Sequence, residues 1–403
     1  MRVRNPVSEP PDSRTRFQTS GSSSGSFPAR DRLPPAGYSI AGAAHLPHDA
    51  LAALRPPALS CPPPQPLKPT CYHGSGKCHY TLGNRGTVTE AAVFNADNDA
   101  QRLREAMKGA GTNEATIIEI LAHRTIAQRQ RIKEAFKQSV GKDLADELRS
   151  ELTGNFEKVV LGLLMTAPVY DASELRNAIK GAGTDEACLI EVLASRSSDE
   201  LRALKACYKQ EYDQDLEEDI CGDTSGMFRR VLVSLLTAGR DESTTVNEAQ
   251  AVQDAKEIYE AGEARWGTDE VKFLTVLCVR NRNHLLRVFE EYKKISGRDI
   301  EDSIKREMSG CLEDVFLAIG ELTPHEGLDL MHCDANLHVC SAQGLGTTDS
   351  ILIRVMVSRA EIDMVDIKAE FLKMYGKTLY SFIKGDTSGD YRKILLELCG
   401  GEK

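Results

Sequence analysis

Lys108-Gly109-Ala110-Gly111-Thr112 is the first of four Gly-rich loops in this chain, and one carboxylate follows each loop at a constant distance. Glu151 stands 40 residues after Gly111, the last glycine of the first loop. The same offset separates the other three pairs, which are Gly183 and Asp223, Gly267 and Glu307, and Gly346 and Asp386. A fixed offset requires a fold that brings each loop to its acid, so the repeat predicts a site as well as a structure.

The sequence around these loops divides into four similar units, at 87–166, 167–238, 239–322 and 323–403. Apolar residues recur at helical spacing in every unit, and strand-like alternation is almost absent. We therefore expect an all-α fold with four repeats of a five-helix unit, stacked around a continuous core. The threonine that closes each loop can serve as the N-cap of the next helix; these residues are Thr112, Thr184, Thr268 and Thr347.

The first 86 residues differ in composition from the four units. Residues 1–86 hold 14 of the 16 prolines and carry 10 basic against 4 acidic residues, whereas 87–403 carry 40 against 56, a net charge of −16. A Pro-, Ser- and Arg-rich segment buries too little apolar surface to offset its ordering entropy, so 1–86 is predicted to be a disordered tail. Its cysteines and histidines match no structural zinc spacing; they are Cys71, His73, Cys78 and His79.

The charge and the cysteines limit the classes of function. An acidic body disfavours general nucleic-acid binding and direct attraction to an anionic bilayer. A cation must therefore mediate any contact with a phosphate surface. No apolar run is long enough to span a membrane, and the N-terminus lacks the apolar region of a signal peptide. The eleven cysteines show no C-x-x-C spacing, and free thiols in a reducing cytoplasm are expected.

The loop and acid together are oxygen ligands for a hard cation. Closely spaced glycines let the backbone turn sharply and expose its carbonyls, and one bidentate carboxylate adds two more oxygens. Ca²⁺ accepts six to eight such ligands in irregular geometry, whereas no cysteine or histidine recurs that would favour zinc or copper. One carboxylate leaves the ion a positive charge, so a lipid phosphate is the expected additional ligand.

Three other interpretations compete with a calcium site. A glycine helix stop followed by a threonine cap needs no ligand, although four copies with one acid offset argue against that reading. Asp223-Thr224-Ser225-Gly226 and Asp386-Thr387-Ser388-Gly389 suggest the paired carboxylates of an aspartic protease. The equivalent acids in the other units are glutamates, and helices replace the β-rich scaffold, so no enzyme is expected. A helical scaffold whose loops bind nothing is the third alternative.

The four units resemble the annexin repeat, with its G-x-G-T loop and distant acid, over essentially all of 87–403. The segments 266–277 and 381–391 carry the resemblance most clearly. It implies a curved all-α disk that binds anionic, phosphatidylserine-type phospholipid through calcium, with self-association on the membrane as a further expectation. It also implies a cytoplasmic protein that is peripheral on membranes when calcium rises, with a role in membrane organisation, vesicle aggregation or exocytosis.

The resemblance assigns calcium ligands position by position. The first site is Met107, Gly109, Gly111 and Glu151, with a secondary site at Thr112 and Glu114; the second is Ile179, Gly181, Gly183 and Asp223; the third is Gly262, Arg265, Gly267 and Glu307; the fourth is Ala342, Gly344, Gly346 and Asp386. Trp266 is the expected lipid contact at the tip of the third loop. The polar lining of the family's central channel matches Asp171, Glu174, Arg196 and Arg354, for which a satisfied interface network is the alternative.

The fourth unit departs from the family pattern before its loop. The family begins this unit with an amphipathic helix, whereas here Pro324 and Gly327 interrupt residues 321–343. The sequence therefore does not predict the first helix of that unit.

Overall fold

The computed structural model describes residues 85–109, 111–181, 183–264, 267–321 and 349–402. These residues form nineteen α-helices and no β-strand, which confirms the all-α prediction. Five helices build each of the first three units, and four helices of the fourth unit are described. The bounds are α1 Ala96–Ala106, α2 Glu114–Leu121, α3 Ile126–Val140, α4 Leu144–Glu151, α5 Gly154–Leu163, α6 Ala167–Ile179, α7 Glu186–Ser195, α8 Ser198–Tyr212, α9 Leu216–Asp223, α10 Gly226–Leu236, α11 Glu248–Ala261, α12 Glu270–Leu277, α13 Arg282–Ser296, α14 Ile300–Glu307, α15 Cys311–Glu321, α16 Asp349–Arg359, α17 Met364–Tyr375, α18 Leu379–Asp386 and α19 Gly389–Leu398.

The tail prediction and the interrupted first helix of the fourth unit lie outside the described residues. The same holds for Cys71, His73, Cys78 and His79, and for Thr347.

In the first three units the threonine after the loop is not the N-cap that the sequence suggested. The N-cap residues are Asn113 for α2, Asp185 for α7 and Asp269 for α12. The side chains of Asn113 and Asp185 each accept a hydrogen bond from the backbone N–H three residues later. Asn and Asp are as effective as Thr in this role, so the cap moves one residue along and the threonine hydroxyl makes a different contact.

Local capping residues mark the ends of the long third helix of a unit. A glycine in the left-handed region follows α3 (Gly141, φ 79°) and α13 (Gly297, φ 73°), where a residue without a Cβ avoids strain. At the other end of α3, Thr125 and Gln128 form a reciprocal capping box. These capping residues set the length of the helix that returns the chain towards its loop.

The apolar side chains form two clusters and not the single continuous core that we expected. One cluster contains side chains of the second and third units, from Ala172 to Ile319. The other joins the first unit to the fourth, from Val88 to Cys399. The periodicity of the helices marks which face is buried, but it does not say which unit covers it. The units pair as two and three, and as one and four.

Candidate functional site

The structure brings each described loop to the acid that follows it. Thr112 Oγ1 lies 3.4 Å from Glu151 Oε2, and Thr184 Oγ1 lies 2.7 Å from Asp223 Oδ2. In the third unit Thr268 Oγ1 lies 3.1 Å from Glu307 Oε2. Three helices intervene in each case, so the constant spacing in sequence becomes a constant contact in space.

Every candidate acid is the last residue of a short helix: Glu151 of α4, Asp223 of α9, Glu307 of α14 and Asp386 of α18. The C-terminus of a helix carries partial negative charge, so a carboxylate there is electrostatically disfavoured. Glu151, Asp223 and Asp386 are exposed and Glu307 is half-buried. Helix stability does not explain acids in these positions, whereas a bound cation would.

The loops expose backbone on the same side as the acids. Gly109 and Gly111 have φ values of 112° and 98°, and both are exposed. A side chain at either position would strain the backbone, because L-residues rarely adopt these angles. The second loop repeats this geometry at Gly181 and Gly183. The glycines therefore allow a turn that other residues would strain, and the threonine that follows this turn contacts the acid.

The third loop is described only in part. Gly262 lies beside the acid, since a Cβ built on it would be 3.6 Å from Cγ of Glu307. Gly267 has a φ of 84° and is exposed. Arg265 and Trp266 lie outside the described residues, and so do Ala342, Gly344 and Gly346 of the fourth loop.

The donor set fits a hard cation better than a soft one. Within the described ranges no three histidine, cysteine, aspartate or glutamate side chains converge as a metal cluster. Each of the first three candidate sites instead has one carboxylate beside a Gly-containing loop, and carboxylate and backbone carbonyl oxygens are the ligands that Ca²⁺ prefers. Glu114 is the first residue of α2, two residues after Thr112, and therefore stands beside the first loop.

The four residues matched to a channel lining lie in ion pairs. Arg196 forms a bidentate pair with Asp171, with distances of 2.7 and 2.9 Å. Arg354 is 1% exposed and donates from Nε and Nη2 to Glu191 at 2.8 and 2.6 Å, and from Nη1 to Glu174 at 3.3 Å. These contacts support the interpretation as a satisfied network.

The Arg354 network links the two apolar clusters. Arg354 belongs to α16 of the fourth unit, and both glutamates belong to the second unit. Burial raises the pKa of Glu174, and the charge of Arg354 opposes that rise. Sequence reasoning missed Glu191, because its position inside the apolar pattern of α7 resembles a core position.

The Arg196–Asp171 pair has counterparts in the first and third units, which sequence reasoning missed. Arg124 pairs with Asp99, and Arg280 pairs with Asp254, each at 2.7 Å from Nε. An aspartate 25 or 26 residues before the arginine was the available signal. These pairs join the first helix of a unit to the end of its second helix, so they are structural.

Asp223 and Asp386 belong to different units that pack in different apolar clusters. Asp223 contacts the loop of its own unit, within the cluster formed by units two and three. Asp386 ends α18, whose buried residues pack in the other cluster. The contacts of these aspartates do not support the protease reading.

Comparison with known proteins agrees with the repeated geometry. The family model described as annexin matches residues 98–163, 170–235, 253–319 and 334–398. Annexin A4 of Mus musculus is 61% identical over 317 residues, which are 79% of this chain and 98% of that protein. Annexin A4 of Homo sapiens is 59% identical over the same shares.

Solved structures share the fold. Annexin III matches with a TM-score of 0.77 and 44% identity, over 80% of this chain and 99% of that chain. Chicken annexin V in complex with Zn²⁺ matches with a TM-score of 0.74 and 50% identity, over 79% and 99%. Calcium-bound annexin (Sm)1 matches with a TM-score of 0.70 and 34% identity, over 79% and 94%.

None of the helices in the described part of the chain is long and apolar enough to cross a bilayer.

Proposed function

This chain belongs to the annexin family, whose members bind phospholipid in a calcium-dependent manner, and we propose that it does so through ions held between its Gly-rich loops and their acids. The observation that supports this mechanism best is the contact of loop threonine with acid in three successive units. In this proposal the loop carbonyls and the one carboxylate together ligate a Ca²⁺ ion.

The charge of the protein gives the ion a second role. Residues 87–403 carry a net charge of −16, so they and an anionic bilayer repel each other. An ion with a single carboxylate ligand keeps about one positive charge and open coordination positions. A lipid phosphate fills those positions, and several such sites on one molecule increase the overall affinity through avidity. Phosphatidylserine-type headgroups, which carry net negative charge, are the proposed lipid.

The ligands proposed for each site are those assigned from the sequence. The loop carbonyls are those of Met107, Gly109 and Gly111; Ile179, Gly181 and Gly183; Gly262, Arg265 and Gly267; and Ala342, Gly344 and Gly346, with Thr112 and Glu114 at a secondary site. Trp266 is the proposed lipid contact. The proposed location is cytoplasmic and peripheral on membranes when calcium rises, where the protein organises or aggregates vesicles without catalysis and associates with further copies.

Calcium-dependent sedimentation with phosphatidylserine-containing liposomes tests the mechanism. Glu151→Gln, Asp223→Asn, Glu307→Gln and Asp386→Asn each remove one carboxylate. Each substitution should raise the calcium concentration at half-maximal sedimentation, on the order of two-fold or more for one site among four.

A matched control lies on the same helix as Asp223. Glu218→Gln removes the same charge from the exposed N-terminal end of α9, away from the loop, and should leave the calcium midpoint unchanged. The mechanism is wrong if chelator fails to release the protein, or if the four acid variants bind like Glu218→Gln.

A further inference from the structure

A groove of about 340 Å³ lies between α10 of the second unit and α12 of the third unit. Its walls are mainly apolar, and the residues that line it include Met227, Val271, Arg229 and Arg230. Val271 is 47% exposed and is one of the few large apolar side chains in the described residues that face solvent to this extent. An apolar groove beside the exposed Arg230 suits an amphiphilic partner.

The groove opens between the second and third candidate calcium sites. Met227 is the second residue of α10 and follows Asp223 by four residues. Val271 is the second residue of α12 and follows Thr268, whose hydroxyl contacts Glu307, by three residues. The groove therefore adjoins the candidate calcium sites, and in the proposed function that surface faces the bilayer.

The two arginines of the groove have unused hydrogen-bonding capacity. Arg230 is exposed, and no described carboxylate lies within ion-pair distance of it. Arg229 donates from Nη2 to the carbonyl of Thr224, but its buried Nε has no hydrogen-bond partner in the structure. A phosphate group in the groove would supply the opposite charge that Arg230 lacks.

The pairing of units creates a second edge that serves as an internal comparison. Helix α19 packs against α2 between units four and one, as α10 packs against α12. Lys393 stands seven residues after Asp386, which is the spacing of Arg230 from Asp223. The two cations therefore occupy equivalent positions beside their acids.

The second edge lacks the properties of the groove. Asp390 replaces Met227, and its carboxylate accepts a hydrogen bond from Lys393 Nζ at 2.8 Å. Ala115 occupies the position of Val271 and offers much less apolar surface. Both edges keep a glutamate at the start of the partner helix, so the contrast arises from the other residues. At the α19–α2 edge Asp390 neutralises the charge of Lys393, whereas the α10–α12 edge keeps the exposed Arg230 beside apolar side chains.

We propose that the groove between α10 and α12 is a contact site for a phospholipid of the bilayer, in which Arg230 pairs with the lipid phosphate and Met227 and Val271 contact its apolar part. The site needs no metal ligand of its own. It rests on the proposed function, because calcium at the neighbouring sites brings the groove to the membrane. The occupant is a bilayer lipid, because the groove adjoins two candidate membrane sites and its cation faces an anionic surface.

Binding to phosphatidylserine/phosphatidylcholine vesicles at 150 mM salt and saturating calcium tests the cationic part of the site. Arg230→Ala should lower the partition coefficient about five-fold, the effect of losing one cation at an anionic surface. Met227→Asp places a carboxylate one turn before Arg230, as in the other edge, and should lower binding similarly. Lys393→Ala changes the net charge equally and leaves Asp390 unpaired, so it measures the general electrostatic effect and should lower binding less than Arg230→Ala, which also loses the direct pairing with phosphate.

The outcomes separate this site from the calcium mechanism. If wild-type protein fails to sediment in calcium, the proposed function itself is wrong. If wild-type protein binds but Arg230→Ala is unaffected, or if Arg230→Ala and Lys393→Ala lose the same affinity, only the groove is wrong and the effect is one of net charge. Unchanged unfolding temperatures for the variants confirm that they are folded. Inorganic phosphate can also be added at the same phosphate concentration as the vesicle lipid. If it then abolishes the difference in vesicle binding between wild type and Arg230→Ala, free phosphate is the occupant and the lipid assignment is overturned.

Quenching by lipids brominated on the acyl chain tests the apolar part. In a Trp266→Phe background, Val271→Trp should be quenched in the presence of calcium and vesicles, whereas Ala115→Trp should be quenched clearly less. Equal quenching at the two positions, or none at position 271, would overturn the insertion of the groove's apolar wall.

Discussion

Replacement of Arg354 by alanine should destabilise the protein more than any surface change, because it leaves a buried charge without its partner. Arg354 is 1% exposed, and Glu191, which accepts two of its hydrogen bonds, is 3% exposed. Breaking a buried pair of this kind typically costs about 3–5 kcal/mol. For a body of roughly 315 residues, that cost corresponds to a fall of about 5–8 °C in Tm.

The effect of pH has a definite sign. Burial raises the pKa of Glu174 above its usual value, and Arg354 lowers it. A carboxyl group whose folded pKa is raised binds protons more strongly in the folded state, so its contribution to stability falls as pH rises through that pKa. Removing Arg354 raises the pKa of Glu174 further. The Tm deficit of Arg354→Ala should therefore be larger at pH 7.5 than at pH 5.

Calorimetry without calcium measures both effects. The double variant Arg354→Met, Glu191→Gln removes the unpaired charge at Glu191 and should recover part of the loss. The reasoning is refuted if Arg354→Ala lowers Tm by less than about 1 °C, or if its deficit grows as the solution becomes more acidic.

Two further predictions concern the loops and the thiols. Gly183→Ala should lower the free energy of unfolding by about 1 kcal/mol or more, because its φ of 109° strains an L-residue. Gly222→Ala, in helix α9 with open space for a Cβ, should instead stabilise the protein. Urea unfolding measures both variants, and a Gly183→Ala protein as stable as Gly222→Ala would contradict the loop geometry. Burial raises the pKa of the Cys188 thiol well above its usual range and those of Cys278 and Cys399 to about 11, so peptide mapping after iodoacetamide treatment at pH 8 should find all three unmodified in native protein and modified in urea.

Local features of the fold were predictable from sequence, because local residues determine them. The helical class follows from the spacing of apolar residues, and the proximity of Gly183 to Asp223 follows from repetition at one offset. The N-cap was misplaced by one residue, since Thr184 and Asp185 are both good caps and only the packing of the loop decides between them.

Long-range features were not predictable in the same way. The pairing of units one and four leaves no trace in the periodicity of either unit, because any apolar face can cover another. Glu191 looked like a core position, since its partner Arg354 lies 163 residues later. For the fourth site only the acid, Asp386, is placed by the described residues.

The pairing of the first unit with the last also sets an order of events during synthesis. Units two and three can complete their common core once the ribosome has released residues up to about 321. The first unit, although it is made earlier, leaves part of its apolar surface uncovered until α19 emerges. The hydroxyl of Thr87 even donates a hydrogen bond to the carbonyl of Leu398, 311 residues away. The first repeat is therefore made before units two and three but completed after them, and a chain cut short before α19 exposes the apolar face of its first repeat to chaperones and proteases.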